Sequence, residues 1–268
     1  MTPTANTAYR GLLDTVYVGG AEIAPRGFKT REILGYQTCI DMRYPIVTIP
    51  SRKLNYRFMA AEAYWILTGQ QGLDELTPYC KNMAKFSDDN LTLSGAYGPR
   101  FISQSRYIVD ALVSDNSTRQ AVLTIWERNP RPSKDIPCTV SLQWLLRNNK
   151  LHCIAHMRSQ DVWLGWPYDV FSFTMMTCYI IALARSQGYV LDWELGNLRV
   201  MVGSQHLYDQ DSRSAIDVIT SKYEDDGVIL GISSLRCNTP GDILMCLGNA
   251  RNADNTLVLT QIQHALCQ

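Results

Sequence analysis

PCTVSLQWLLRNNKLHCIAHMRSQDVWLGWPYDVFSF, Pro137 to Phe173, is the stretch that decides the fold. From Thr139 to Leu146 apolar residues alternate, with Val140, Leu142, Trp144 and Leu146 on one face. Arg147 to Lys150 (RNNK) is turn-forming, and Leu151 to Arg158 returns as a second strand. That pattern is a β-hairpin. Pro167 and Asp169 then open a long apolar helix that Gly188 closes. The proline-rich loop RNPRPSKDIP delivers the chain to Cys138 at the very start of the hairpin.

Outward from this core, Arg31 to Ile49 carries two apolar bursts, EILGYQTCIDM and YPIVTIP, with the β-branching of strands. Lys53 to Thr68 has helical spacing, with Gly69 to end it, and Leu73 to Phe86 reads as a second helix. Ser94 to Gly98 (SGAYG) is a turn, and Gln120 to Trp126 and Leu198 to Val202 are strands. Strands cluster and helices cover them, which predicts an α+β fold. No linker interrupts residues 1–268, so one domain is expected.

Hydrophobic residues make up 46% of the 268, enough for a large core. Lys+Arg and Asp+Glu balance at 25 each, so no general field draws the chain to nucleic acid, and an anionic ligand needs a local arginine cluster. The N-terminus MTPTANTAYRGLL is not a signal peptide, and Val170 to Ala184 is short for a bilayer span and reads as a core helix. A cytoplasmic protein without a membrane partner is expected. The eight cysteines form no CxxC pair and no zinc-type spacing with histidine, which predicts free thiols and no metal.

Cys138, Arg158, Asp169 and Glu62 are the residue types that attack on a pyrimidine ring requires. A thiolate adds at C6 and makes C5 electron-rich; it needs positive charge nearby. Arginines fix a nucleotide phosphate. A polar side chain reads the base edge, and a carboxyl group moves protons. Each has a plainer reading. Free cysteines are mostly buried fillers, Asp169 after Pro167 suits a helix cap, His206 suits a core histidine, and Arg119 suits a surface ion pair. Glu62 on an apolar helix face is harder to explain that way, because a lone buried carboxylate is costly.

These stretches together resemble the thymidylate synthase family from about Arg26 to Tyr208. In that family a Pro-Cys opens a strand, a hairpin returns to Arg-Ser-x-Asp, and Gly-x-Pro-Phe-Asn begins a helix; here the match runs without a gap from Cys138 through Arg158, Ser159 and Asp161 to Asp169. AAEAYW resembles the helix that carries the family's catalytic glutamate, placing it at Glu62, and GAYG places the family tyrosine at Tyr97. NSTRQAV resembles the segment that donates phosphate-binding arginines to the partner subunit, here Arg119 with Gln120 replacing the second. GSQHLY resembles the segment that holds the sugar 3′-hydroxyl, at His206 and Tyr208, and Arg26 aligns with a phosphate arginine after a one-residue shift. The resemblance implies a mixed sheet covered by helices, a homodimer formed through the sheet face, and 5,10-methylenetetrahydrofolate as co-substrate, with Asp161 near the pterin.

The family's base-reading asparagine is replaced by Asp169, and its Cys-His by Cys138-Thr139, as in the deoxycytidylate hydroxymethylase branch. Asparagine donates to uracil O4 and accepts from N3–H; cytosine has the opposite polarity, which a neutral Asp matches, and an ionised Asp pairs with N3-protonated cytosine. The resemblance therefore implies addition of Cys138 to C6 of dCMP and one-carbon transfer to C5, with Glu62 and Tyr97 ordering the proton network. Water then adds to the exocyclic methylene, giving 5-hydroxymethyl-dCMP. Hydride transfer instead gives 5-methyl-dCMP. The family's two active-site tryptophans fall at Met83 and Phe86, and QHALCQ does not resemble the tail that closes over folate, which favours water as the last nucleophile. CMP in place of dCMP, and a non-catalytic nucleotide-binding member, remain open.

Overall fold

A computed structural model describes residues 2–189, 192–222 and 237–267, with side chains described as far as residue 262. In chain order the elements are α1 (Ala5–Gly19), β1 (Ala21–Ile23), β2 (Thr30–Asp41), α2 (Tyr56–Leu67), α3 (Tyr97–Ser114), β3 (Val122–Thr124), β4 (Thr139–Arg147), β5 (Lys150–Asp161), α4 (Trp166–Ser186), β6 (Glu194–Tyr208), α5 (Ser212–Ile219), α6 (Pro240–Asn252) and α7 (Val258–Cys267). The sheet runs β1-β2-β6-β5-β4-β3, with β5 parallel to β6 and every other neighbouring pair antiparallel. The α+β expectation holds.

The hairpin forms as its sequence dictates. Asn148 and Asn149 take φ of 51° and 57° between β4 and β5, the left-handed pair that a two-residue turn needs and that asparagine tolerates. α4 is apolar on every side because it lies in the core, with Phe171, Phe173, Met175, Met176, Ile180 and Ile181 fully buried. Its 21 residues are long and apolar enough to cross a membrane, longer than the sequence suggested, but most of that surface is covered by protein. Its threonines are satisfied internally: Thr174 and Thr177 donate back to the Val170 and Phe173 carbonyls, and the Trp144 indole donates to Thr177 at 3.0 Å.

Three expectations needed correction. YPIVTIP is not a strand. Pro45 and Pro50 lack ladder donors, and Ile46, Val47 and Ile49 pack into the core without a sheet partner. Asn6 supplies the missing pairing, accepting from the Thr48 amide at 2.7 Å and donating to its hydroxyl at 2.6 Å. Leu73 to Phe86 is not an α-helix but turns followed by a 3-10 segment, Lys81–Phe86, which carries Met83 and Phe86. SGAYG is a turn only as far as Ala96; Tyr97 begins α3, a helix the sequence reading did not anticipate, as it did not anticipate α1. The QHALCQ segment enters α7, and its side chains lie outside the described residues.

Helices cover one face of the sheet. The other presents laterally paired rows, Gln37–Met201–His156–Ser141 and Cys39–Arg199–Ile154–Gln143. Met201 is 39% exposed there.

Candidate active site

The chain enters β4 through a loop fastened at both ends of the site. Asp135 accepts from the Gly95 amide at 2.7 Å, tying the loop to the residues just before α3. Arg158, on the neighbouring β5, donates to the carbonyls of Pro137 and Ile136, each at 2.9 Å. Cys138 is thereby held at the mouth of the hairpin, half-buried. Its sulfur lies 3.8 Å from an Arg158 guanidinium nitrogen and 3.7 Å from the Ser159 hydroxyl. Thr139 is fully buried and donates its hydroxyl to the Tyr97 oxygen at 2.9 Å.

The electrostatics of Cys138 correct a simple expectation. Arg158 and Ser159 do pull its pKa down, but burial outweighs them, and Asp169 and Asp135 add to the rise. The resting sulfur is a thiol, not a standing thiolate. Any group that adds positive charge or removes negative charge nearby, including the loss of charge on Asp169, favours the nucleophile.

Asp169 sits in the first turn of α4 without capping it. The helix opens on Gly165, and no side chain caps it. Instead Asp169 accepts from the Gln160 side-chain amide at 3.0 Å. A Cβ built on Gly165 would stand 3.3 Å from the Asp169 Oδ2, so glycine leaves the carboxyl its room. Burial pushes Asp169 up to about 7, against the lowering effect of Gln160 and with a small rise from Asp161. Glu62 on α2 is pushed up to about 8 by burial first and by Asp169 second. Tyr97 is raised by burial, then by the charges of Asp169 and Cys138. Cys138, Tyr97, Glu62 and Asp169 thus form one electrostatically linked group contributed by four elements, each keeping some surface open to solvent.

Asp161 closes the turn before α4, its Oδ1 accepting from the amides of Trp163 at 2.8 Å and Leu164 at 3.0 Å. Burial raises its pKa, and His206 opposes the rise. His206 and Tyr208 meet edge to face at 5.3 Å between ring centroids, on the strand beside β5. Arg26, in a turn with φ of 55°, donates to the Tyr208 hydroxyl at 3.4 Å. Arg119 stands apart. It is exposed on the turn before β3, its carbonyl held by Gln143 at 2.8 Å.

The sequence reading passed over Gln160 and Arg52. Arg52 is buried, donates to Tyr9 at 2.9 Å and to the Trp163 carbonyl, and stacks 4.1 Å from the Trp163 ring, bracing the turn that holds Asp161. Among the described residues, no group of three His, Cys, Asp or Glu side chains is placed to hold a metal ion.

This fold, with a cysteine opening the hairpin and acids converging on it, defines a class. The family model described as thymidylate synthase matches residues 7–233, and the chain belongs to the thymidylate synthase family. Within it, a deoxyuridylate hydroxymethyltransferase of Bacillus phage SP01 is 30% identical over 227 residues, covering 76% of this chain and 57% of that protein. The chain therefore spans little more than half the length of that relative.

The raised carboxyls have a cost that can be measured. Glu62 is protonated in both states below its ordinary value of 4.5. As pH rises from there toward 8, the unfolded chain releases the proton and the folded chain retains it, so stability falls; above 8 the whole penalty is present. Glu62→Gln is therefore expected to raise Tm by roughly 2–6 °C at pH 9 and to change it little at pH 4. Thermal melts at the two pH values check this, and a gain equal at both would assign it to packing.

Proposed function

We propose that this protein transfers a one-carbon unit from 5,10-methylenetetrahydrofolate to C5 of dCMP, giving 5-hydroxymethyl-dCMP. The observation that carries the reading is Asp169, a carboxyl poised near 7 in the same pocket as Cys138 and Glu62. A neutral carboxyl donates to cytosine N3 and accepts from N4–H₂, and a proton held near neutrality makes that form available. Cys138 adds to C6, which places negative charge at C5 for attack on the one-carbon unit. Glu62, protonated near neutrality, is suited to give and recover protons. Asp161 has one oxygen committed to the turn and accepts nothing on the other among the described residues, which suits a polar heterocycle such as a pterin. Arg158, Arg26 and the His206–Tyr208 pair supply charge and hydroxyl contacts for a nucleoside monophosphate. A hydroxymethyl product, rather than methyl, agrees with the phage relative's name.

A second reading takes dUMP as substrate. It is favoured by that same relative, whose name specifies deoxyuridylate. Incubation with dCMP, CMP or dUMP and methylenetetrahydrofolate, with the product identified by mass, separates the readings. Hydroxymethylation of dUMP with dCMP untouched would overturn the first, and a methyl product would overturn the terminal step.

The open sheet face fits a second copy of this chain, with Arg119 crossing to its partner's phosphate site. Arg119→Ala and Cys138→Ser proteins, each inactive alone, are expected to recover activity when mixed. A mixed dimer has one site with both an intact Cys138 and an intact Arg119 from across the interface, so about a quarter of wild-type activity is expected at random assortment. Mixing without recovery would place Arg119 outside the site. A cytoplasmic setting goes with this reading, since its substrates are soluble metabolites.

A further inference from the structure

A neutral carboxyl has one proton and two oxygens. With the proton on one oxygen it matches cytosine; with the proton on the other it offers a donor to O4 and an acceptor to N3–H, and matches uracil. Asp169 by itself therefore does not decide between the bases. Something must decide which oxygen carries the proton.

Gln160 is placed to do so. It is 1% exposed at the end of β5, and its amide nitrogen lies 3.0 Å from Asp169 Oδ2 and 3.2 Å from the Met157 sulfur. The sulfur settles the amide's orientation. A thioether accepts hydrogen bonds and donates none, so nitrogen, not oxygen, faces it. The same nitrogen then faces Asp169. Oδ2 must accept there, and a carbonyl oxygen accepts better than a hydroxyl, so the acid's proton is directed to Oδ1. At the amide's other end Oε1 is buried and has no hydrogen-bond partner. Next to it on β6, Gln205 donates to the Gln160 carbonyl at 3.2 Å and likewise leaves Oε1 buried without a partner. Two buried glutamines with orphaned oxygens are an expensive arrangement for packing alone.

We propose that Gln160 is the specificity-determining residue of this site: by donating to Asp169 Oδ2 it fixes the carboxyl in one hydrogen-bond polarity, so that a single pyrimidine is accepted. It is a positioning residue and acts through Asp169. The proposal rests on Asp169 being the base reader; joined to the dCMP reading, Oδ1–H meets N3 and Oδ2 meets the amino group. The charged and titratable groups facing Asp169 are Glu62 from α2, Tyr97 from α3, Cys138 from the start of β4 and Asp161 from the end of β5. None of them is a donor fixed to one of its oxygens, which leaves that task to Gln160.

The test is Gln160→Met, which keeps the length and removes the donor. Both Kd and kcat/KM are measured for dCMP and dUMP in wild type and variant. The preference of the wild type, whichever base it favours, is expected to shrink by roughly 3- to 15-fold, the worth of one hydrogen bond. The pH at which selectivity is lost is expected to rise, because Gln160 favours the ionised acid. An unchanged ratio with an unchanged pH profile would overturn the proposal. A wild type that prefers dUMP but loses that preference in the variant would overturn the dCMP reading and leave Gln160's role standing. If the variant does not fold, the wild type answers: the Gln160 side-chain amide resonance should titrate near pH 7 and stop doing so in Asp169→Asn. A resonance flat across pH 5–9 would sink the idea.

Discussion

Cys138→Ala is expected to lower turnover by roughly 10⁴-fold or more, with nucleotide affinity retained within about tenfold. The size follows from what the sulfur does. Without a covalent bond at C6, the C5 carbon of a pyrimidine is not nucleophilic enough to take a one-carbon unit, and no neighbouring group replaces the thiol. Cys138→Ser should fare little better. A hydroxyl at the same place is a far weaker nucleophile than a thiol, and burial that already opposes a thiolate opposes an alkoxide more. In the proposed site the contacts to the nucleotide are assigned to other residues, so binding is expected to survive. Release of tritium from C5 of the nucleotide reports the adduct directly, independent of the product formed. Unchanged release in Cys138→Ala would remove the cysteine from the chemistry and return it to the role of filler.

The hairpin was legible because its two determinants are local. Alternation fixes which face of each strand is buried, and the Asn148–Asn149 turn fixes register. α4 was legible through Pro167 and Gly188. What failed were segments whose structure is set from a distance. YPIVTIP has strand composition, yet its backbone is paired by Asn6 from α1, a contact spanning 42 residues. Leu73 to Phe86 has helical spacing, but its start is fixed by pairing with the Leu91–Leu93 segment: Leu73 donates to Leu91, and Leu93 to Gln71, each at 2.9 Å. No periodicity in either segment encodes those partners.

The site divides in the same way. Residue types and order in the Cys138–Asp169 stretch pointed to the proposed chemistry, and the structure brings Cys138, Tyr97, Glu62 and Asp169 together from four elements. Gln160 was missed for a physical reason. Burial along β5 alternates through Leu151, Cys153, Ala155 and Met157, and by that period Ser159 should face inward. The alternation shifts before the strand ends, and Gln160 turns in instead. A polar residue between Ser159 and Asp161 looked like part of an exposed motif. The cap reading of Asp169 was attractive for a similar reason, since a carboxyl near a helix start usually serves the helix; here the helix needs no side-chain cap and the carboxyl faces the site.

Asp169→Asn is expected to move the preference from cytosine toward uracil nucleotides. As pH rises through about 7, Asp169 ionises and offers two acceptors and no donor. Uracil O4 then faces an acceptor, and cytosine N3 does too unless the base brings a proton. An amide always offers one donor and one acceptor, and turned one way it gives to O4 and takes from N3–H. That turn works against the Gln160 donor, which the Met157 sulfur holds in place, so the single variant is expected to shift only part of the way. Leaving one buried polar group unpaired costs about 1–3 kcal/mol, roughly a 5- to 150-fold change per mismatched contact. The ratio of kcat/KM for dUMP over dCMP should rise by at least the lower bound. The pH dependence should change as well. In wild type, selectivity for cytosine should fade above pH 7 as the proton is lost; in Asp169→Asn no proton is involved, and the ratio should be level from pH 6 to 9. Replacing Gln160 by Met in the same protein removes that opposing donor and should carry the ratio further toward uracil. A ratio that does not move in the single variant would place base choice elsewhere in the pocket, and a ratio that moves without losing its pH dependence would assign the titration to Glu62 instead.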